Sequence, residues 1–154
     1  MWVPPEERDP VCQHAPTRKS ISYFGAVRIR DGKLCSSKPS GSFDAQTCWA
    51  FLRRLQRISA RAGRRVVVIT DNAKYHHAVL HAAWRQEQEP QFSLHFLPPY
   101  SPQLNPIERV WKLLRRLRLH NRYFPSLPEL STSVDIQLSI WAKPNAVLKR
   151  LCSI

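Results

Sequence analysis

Alternating apolar positions and β-branched runs predict four strands in the chain. The segment SISYFGAVRIR (20–30) alternates as a strand does, and the tight-turn signal Asp31-Gly32 predicts that residues 33–37 return antiparallel to it. The run VVVIT (66–70) is typical of a strand buried on both faces, and residues 92–97 predict one more short strand. We therefore expect a sheet built from a hairpin and two later strands.

Helical periodicity accounts for much of the remaining chain. A first helix is predicted from Asp44 as its N-cap to Gly63 as its C-terminal stop. Further helices are predicted over 73–89, over 105–119, and from a capping-box start at Ser126 to about residue 141. The first helix is expected to bury a face of apolar residues spaced three apart, namely Trp49, Leu52, Leu55 and Ile58.

The length and composition fit one globular domain. With 154 residues, 43% of them apolar, the chain is long enough for a core of its own and too apolar for a disordered segment. The order of elements predicts an α/β domain over 1–154, a mixed sheet flanked by helices, with 120–154 as its helical tail. The longest uncharged apolar run, 66–70, is too short to span a bilayer, and the first residues lack a basic-then-apolar signal segment. We expect a cytoplasmic protein without a membrane partner.

Charge is the most informative feature of the composition. The 24 Lys and Arg residues against 11 Asp and Glu leave a net charge of +13, which predicts an anionic partner, usually nucleic acid. A solvated basic surface without a dedicated partner is the alternative. On the 105–119 helix, we expect Lys112, Arg115 and Arg116 to form a phosphate-binding stripe, and Arg64-Arg65 to add to the basic surface. The other arc of that helix is expected in the core and consists of Ile107, Val110, Trp111, Leu114 and Leu117.

Asp71 stands where the 66–70 strand ends and the next predicted helix begins. Sites in α/β sheets gather at the carboxyl ends of strands, so this carboxylate is a candidate functional group. A helix N-cap is the competing interpretation, because Asp before a helix accepts backbone N–H bonds. Asn72 can serve as the cap instead, which would leave Asp71 facing a cleft.

Glu108 follows a stretch with four prolines, at positions 98, 99, 102 and 106. With Asn105 as N-cap, Glu108 falls at the third helical position and completes a capping-box variant. It also lies four residues before Lys112, which favours a surface ion pair. Such local effects contribute only about 0.3–1 kcal/mol each, which does not explain so stiff an approach. We therefore expect the connector to place Glu108 for a functional site.

The histidines and cysteines give a weaker signal for metal chemistry. His77 and His81 are four apart on one predicted helical face, which is compatible with zinc, but no third ligand is evident. His76 can reach back over the helix start toward Asp71. The four cysteines contain no C-x-x-C pair, so we expect reduced thiols rather than a zinc ribbon or a redox dithiol.

Two blocks of the chain together resemble the DDE transposases, in the mariner-related branch of bacterial insertion sequences. The first is a strand ending in D-N-A-x-x-H (71–76), and the second is L-P-P-Y-S-P-x-L-N-P-I-E-x-x-W (97–111). The resemblance implies that Asp71 and Glu108 are the second and third acidic residues of a catalytic triad. Their separation of 37 positions, from 71 to 108, is close to that family's spacing.

The resemblance implies an RNase H-like fold and a function on DNA. It implies cutting and joining of DNA ends with two Mg²⁺ or Mn²⁺ ions held by carboxylates, in a bacterial nucleoid-associated protein that is a homodimer when complete. The DNA partners would be transposon ends and a target. Asn72, His76 and Asn105 would be neighbours that orient the two metal ligands. A hard divalent pair agrees with the needs of phosphodiester cleavage, and a basic surface favours approach of polyanionic DNA.

One part of the family pattern lacks a counterpart in this sequence. The family's first Asp lies on a central first strand, upstream of the tryptophan that Trp2 matches, and the family's helix-turn-helix region precedes it. Asp9, Asp31 and Asp44 fall in a proline-rich lead, a turn and a helix cap. We therefore expect the C-terminal part of a catalytic domain, truncated or split, without its first central strand and inactive alone. A separately encoded N-terminal piece would supply that strand, and a non-catalytic nucleic-acid-binding remnant is the alternative.

Overall fold

The computed structural model describes residues 20–60 and 63–153, so the expectations for Trp2 and Asp9 lie outside it. The predicted hairpin is present, and Asp31 and Gly32 occupy its turn. Gly32 has a φ of 69°, a conformation that favours glycine. The strands are β1 (Phe24–Arg28), β2 (Lys33–Ser37), β3 (Val66–Thr70) and β4 (Phe92–Phe96).

The strands form two small sheets in place of the single mixed sheet expected. β1 pairs antiparallel with β2, and β3 pairs parallel with β4. Within residues 20–60 and 63–153 no strand pairs with both sheets, so no ladder of backbone hydrogen bonds joins them. The expectation that β3 is buried on both faces is wrong, because Val67 and Ile69 are 55% and 53% exposed. Only the face of β3 that carries Val66 and Val68 packs on a core.

Five α-helices lie in the described ranges: α1 (Ala45–Ala60), α2 (Ala82–Gln88), α3 (Pro106–Leu114), α4 (Leu127–Trp141) and α5 (Ala146–Cys152). Asp44 caps α1, since its Oδ1 accepts from Thr47 N at 2.7 Å, and Ser126 accepts from Glu129 N at 3.4 Å to begin α4. The helix predicted over 73–89 is wrong, because Ala78 is extended (φ −59°, ψ 136°) and separates two 3₁₀ turns that precede α2. None of the described helices has the length and apolar character to cross a membrane.

The helix predicted over 105–119 changes its winding after Leu114. Residues Arg115–Leu119 form a π-helical turn, in which His120 N donates to Arg115 O at 2.8 Å. The wider turn shifts the side chains around the axis, so Leu117 is 43% exposed and not in the core as expected. Arg118 turns inward instead and donates to Gln137 Oε1 at 2.9 Å.

Two apolar clusters lie on either side of the hairpin. One gathers Leu34 with the buried faces of α3, α4 and α5, and the other gathers Phe24 and Phe92 with α1. On α1 the buried stripe follows the helical period of 3.6, so Ile58, expected inside, is 40% exposed. The buried α1 residues are Cys48, Phe51, Leu52 and Leu55.

Candidate active site and nucleic-acid interface

Asp71 directly follows β3, as predicted, and it forms a local turn rather than a helix cap. Its Oδ1 accepts from Ala73 N at 3.1 Å and lies 3.5 Å from His76 Nε2. The element that follows is a 3₁₀ turn, Lys74–His77, with Ala73 as its N-cap residue, so neither Asp71 nor Asn72 caps an α-helix. Among the described residues none hydrogen-bonds Oδ2, and the side chain is 54% exposed. One carboxylate oxygen of Asp71 is therefore open to an external ligand.

Asn72 connects the ends of β3 and β4. Its Nδ2 donates to Leu97 O, while its Oδ1 lies 3.3 Å from His77 Nε2. Asp71, Asn72 and Leu97 share a cavity of about 200 Å³ with residues of the proline connector. Those connector residues are Pro98, Tyr100, Ser101 and Pro102. The stiff segment therefore forms a wall of the cavity at the Asp71 strand end.

Glu108 lies in the first turn of α3, and Asn105 is the N-cap, as predicted. The buried Asn105 accepts from Ile107 N at 3.4 Å, and its carbonyl accepts from Glu108 N at 3.1 Å. The Glu108 side chain is exposed and makes neither the reciprocal capping bond nor an ion pair with Lys112 or any other described residue. Glu108 therefore serves neither as the second half of a capping box nor as the partner of Lys112.

Two contacts fix α3, and with it Glu108, to the rest of the molecule. The Trp111 indole lies against the backbone of Gly25 on β1, so close that a Cβ on Gly25 would be 2.7 Å from Trp111 Cη2. On the opposite side, Arg109 Nη1 donates to Leu151 O at the end of α5, at 3.1 Å. The tryptophan of the second sequence block therefore positions the helix that carries the glutamate.

His76 contacts Asp71 and also hydrogen-bonds side chains of the core. Its Nε2 is 2.9 Å from Thr70 Oγ1, and its Nδ1 is 3.3 Å from Cys48 Sγ. Burial lowers the pKa of His76, and the nearby Asp71 opposes that effect. Sequence reasoning placed His76 near Asp71 but missed Cys48 and Thr70. Cys48 lies 28 positions away on another element, so no local pattern connects it to His76.

The zinc alternative is contradicted by the positions of its two histidines. His77 stacks on Phe96 with ring centroids 4.0 Å apart, whereas His81 is fully buried and its Nε2 lies 2.8 Å from Tyr75 O. The break at Ala78 separates residues that an unbroken helix would have put on one face. Cys35, Cys48 and Cys152 are free thiols, as expected for them, and Cys12 lies outside the described residues.

The five basic residues expected to bind phosphates are exposed: Arg64, Arg65, Lys112, Arg115 and Arg116. None of them forms an ion pair within the described ranges, where Arg28 pairs with Asp31 and His76 Nε2 lies 3.5 Å from Asp71 Oδ1. Their charges are therefore available to an anionic partner. Asp31 and Asp44 are occupied locally, by Arg28 and by the start of α1.

The donor chemistry of Asp71 and Glu108 fits a hard divalent cation such as Mg²⁺ or Mn²⁺, which prefers carboxylate oxygens. Over residues 20–60 and 63–153 no three or more His, Cys, Asp or Glu side chains gather in a metal-binding group. The two carboxylates are chemically suitable as ligands of such a cation. A complete set of metal ligands would need further groups.

Comparison with known proteins identifies the family. The model of the DDE superfamily endonuclease family matches residues 1–131. The chain belongs to this family. The Insertion element IS630 uncharacterized 39 kDa protein of Shigella sonnei is 30% identical over 112 residues, which cover 73% of this chain and 32% of that protein. The uncharacterized protein y4pE/y4sA of Sinorhizobium fredii is 33% identical over 109 residues, or 71% of this chain and 76% of that one.

Solved structures of the Mos1 mariner transposase share the fold. The paired end complex with Mn matches with a TM-score of 0.66 at 21% identity, over 99% of this chain and 46% of that one. The strand transfer complex matches with a TM-score of 0.63, over 99% and 44% of the two chains. This DDE domain therefore spans less than half of those transposase chains. The predicted resemblance and the RNase H-like α/β fold are confirmed.

Proposed function

We propose that this DDE domain contributes Asp71 and Glu108 to a divalent-metal centre that cuts and joins DNA ends. The observation that supports this most strongly is that both carboxylates keep oxygen atoms without a hydrogen-bond partner among the described residues. Both also lie in the two sequence blocks, 71–76 and 97–111, that resemble the DDE transposases. Divalent ions held there would activate a nucleophile and stabilise the leaving oxygen of a phosphodiester. The structure of the Mos1 paired end complex with Mn supports this choice of metal.

The chain's own residues would prepare that centre. Asn72 holds the two strand ends together through its bond to Leu97 O, so Asp71 starts from a fixed backbone. Asn105 caps α3, and Trp111 fixes that helix on β1, so Glu108 also starts from a fixed backbone. The contact of His76 Nε2 with Asp71 Oδ1 restrains the Asp71 side chain. Ligands fixed before binding lose less conformational freedom when the ion arrives.

A third acidic ligand and a neighbouring strand would come from an N-terminal piece of a transposase. Two observations support this part of the proposal: β3 pairs only with β4 in the described residues, and its Val67 and Ile69 side chains are more than half exposed. An added strand would pair with the free edge of β3, and its side chains would pack beside Val67 and Ile69. Homodimer formation by the complete protein remains a prediction.

Metal binding and DNA cleavage test the assignment separately. Mn²⁺ binding to the whole chain, measured by electron paramagnetic resonance, should weaken more than about 10-fold in Asp71→Asn and in Glu108→Gln. Glu89→Gln, at an exposed acidic position on the C-terminal side of α2, is the matched control and should bind normally. Unchanged Mn²⁺ affinity in both site variants would contradict the proposal.

Cleavage is tested with an N-terminal fragment of a related transposase added to the chain. We expect Mg²⁺- or Mn²⁺-dependent nicking only in the mixture, and its loss in Asp71→Asn and Glu108→Gln. Nicking by the chain alone would contradict the need for a second piece. DNA binding that persists without nicking in any mixture would favour the non-catalytic remnant.

We also propose that the five exposed basic residues bind DNA phosphates. Replacing Lys112, Arg115 and Arg116 together by Ala should reduce the slope of log K against log salt by about 3, because each phosphate contact contributes about 0.9. The matched control removes three exposed basic residues near and on α5, Lys143, Lys149 and Arg150. An equal loss of slope in the control would show that binding depends on net charge and not on this stripe.

A further inference from the structure

We infer that Cys48 is a positioning residue for the proposed centre. Its thiol holds the His76 imidazole in one tautomer, and that imidazole in turn restrains the Asp71 carboxylate. The inference rests on the assignment of Asp71 as a metal ligand under Proposed function. Cys48 does not act on the Asp71 carboxylate directly, because His76 lies between the thiol and that carboxylate.

The contacts form a continuous path from α1 to the end of β3. Cys48 is fully buried in the cluster that also contains Phe24 and Phe51, so its position is set by core packing. Its Sγ lies 3.3 Å from His76 Nδ1, a hydrogen-bonding distance for sulfur. On the far side of the ring, Nε2 lies 2.9 Å from Thr70 Oγ1 and 3.5 Å from Asp71 Oδ1.

The charge of Asp71 selects between the two neutral tautomers of His76. With the proton on Nε2, the N–H donates to Thr70 Oγ1 at 2.9 Å, and its positive hydrogen lies near Asp71 Oδ1, which is 3.5 Å from Nε2. With the proton on Nδ1, the lone pair on Nε2 would accept from the Thr70 hydroxyl but would also lie near the negative Asp71 carboxylate, which disfavours this tautomer. The Nε2–H tautomer leaves Nδ1 as an acceptor, and the Cys48 S–H is the donor that satisfies it.

The state of the thiol supports this arrangement. Burial raises the pKa of Cys48 to about 11, so its sulfur keeps a proton to donate at neutral pH. If the thiol were removed, the buried Nδ1 of His76 would lose its hydrogen-bond donor, because Cys48 Sγ is the group that contacts it. The thiol therefore acts on Asp71 through the ring, as outer-shell partners of metal ligands do.

The tautomer can be read directly by long-range ¹H–¹⁵N NMR on the ¹⁵N-labelled chain without metal. We expect the His76 ring to show a protonated Nε2 and an accepting Nδ1 in the wild type. Cys48→Ala should shift that pattern toward a mixture of tautomers, and Cys48→Ser, which keeps a donor, should restore it. Cys152→Ala is the matched control, because Cys152 is equally buried but lies in the other cluster.

Metal titration separates this inference from the proposed function. Mn²⁺ affinity should fall about 10-fold in Cys48→Ala, which is the lower end of the usual outer-shell effect, and should recover in Cys48→Ser.

A protonated Nδ1 in the wild type, or a His76 pattern unchanged by Cys48→Ala, would overturn the role of the thiol. If the tautomers behave as expected while Asp71→Asn leaves Mn²⁺ binding intact, the proposed function fails and the hydrogen-bond path stands. If Cys48→Ala does not fold, the wild-type spectrum and Cys48→Ser still decide.

Discussion

Replacing Gly25 by Ala tests how tightly α3 is held against the hairpin. The added Cβ would lie 2.7 Å from Trp111 Cη2, closer still to Cζ2, and 3.3 Å from Ile107 Cδ1. Carbon atoms prefer separations of about 3.5–4.0 Å, so the indole must move by about 1 Å. Overpacking of a core commonly lowers the free energy of unfolding by about 1–3 kcal/mol. Because the indole is a rigid ring on a packed helix, we expect Gly25→Ala to lower it by about 2–3 kcal/mol.

The assay is urea unfolding of Gly25→Ala beside Gly41→Ala. Gly41 has no atom within 4 Å of its hypothetical Cβ, so that variant should change the free energy of unfolding by less than about 1 kcal/mol. Trp111→Phe removes the two ring carbons that the new methyl group meets. Combined with Gly25→Ala, it should therefore destabilise less than the sum of the single changes, by at least about 1 kcal/mol. Equal costs for the two alanine variants, or strict additivity with Trp111→Phe, would show that the indole does not press on Gly25.

Three further predictions concern the hairpin turn at Gly32, the N-cap of α4, and the loss of stability at acidic pH. Gly32→Ala should destabilise by about 3 kcal/mol in urea unfolding, because φ is positive there and a Cβ would collide with the backbone of Asn145 and Lys149. Ser126→Ala should remove the cap of α4 and cost about 1 kcal/mol in the same assay, whereas no loss would contradict the capping role. The Arg28 guanidinium holds the pKa of Asp31 below its ordinary value, so the stability from this pair is present above the unfolded pKa and lost as pH falls through the folded one. NMR titration should show that pKa rising toward its ordinary value in Arg28→Ala, and an unchanged pKa would contradict the pairing.

Sequence reasoning recovered the features that local physical chemistry determines. The Asp31-Gly32 turn, the Asp44 and Ser126 caps and the Asn105 N-cap each depend on a few neighbouring residues, and all are present. The resemblance of two sequence blocks to the DDE transposases led to the correct family and fold. The roles of Asp71 and Glu108 in metal binding remain predictions.

The errors share a physical cause, which is that tertiary contacts decided the outcome. Nothing between residues 73 and 89 marks Ala78 as a helix break, because it is neither Gly nor Pro and its extended backbone accompanies burial of His81. The exposure of Ile69 depends on which elements cover β3, and the apolar run itself carries no such information. Leu117 was displaced by one extra residue in a π-helical turn, which the helical period does not reveal. Cys48 was missed because its contact with His76 is long-range.

The proposed function requires that the carboxylates of Asp71 and Glu108 share a divalent cation. Anomalous X-ray diffraction from crystals of the chain soaked in Mn²⁺ would locate that cation without reference to activity. We expect a manganese peak within coordination distance of one oxygen from each of the two side chains. A peak bound to only one of them, or two carboxylates too far apart to reach a common site, would contradict the proposal.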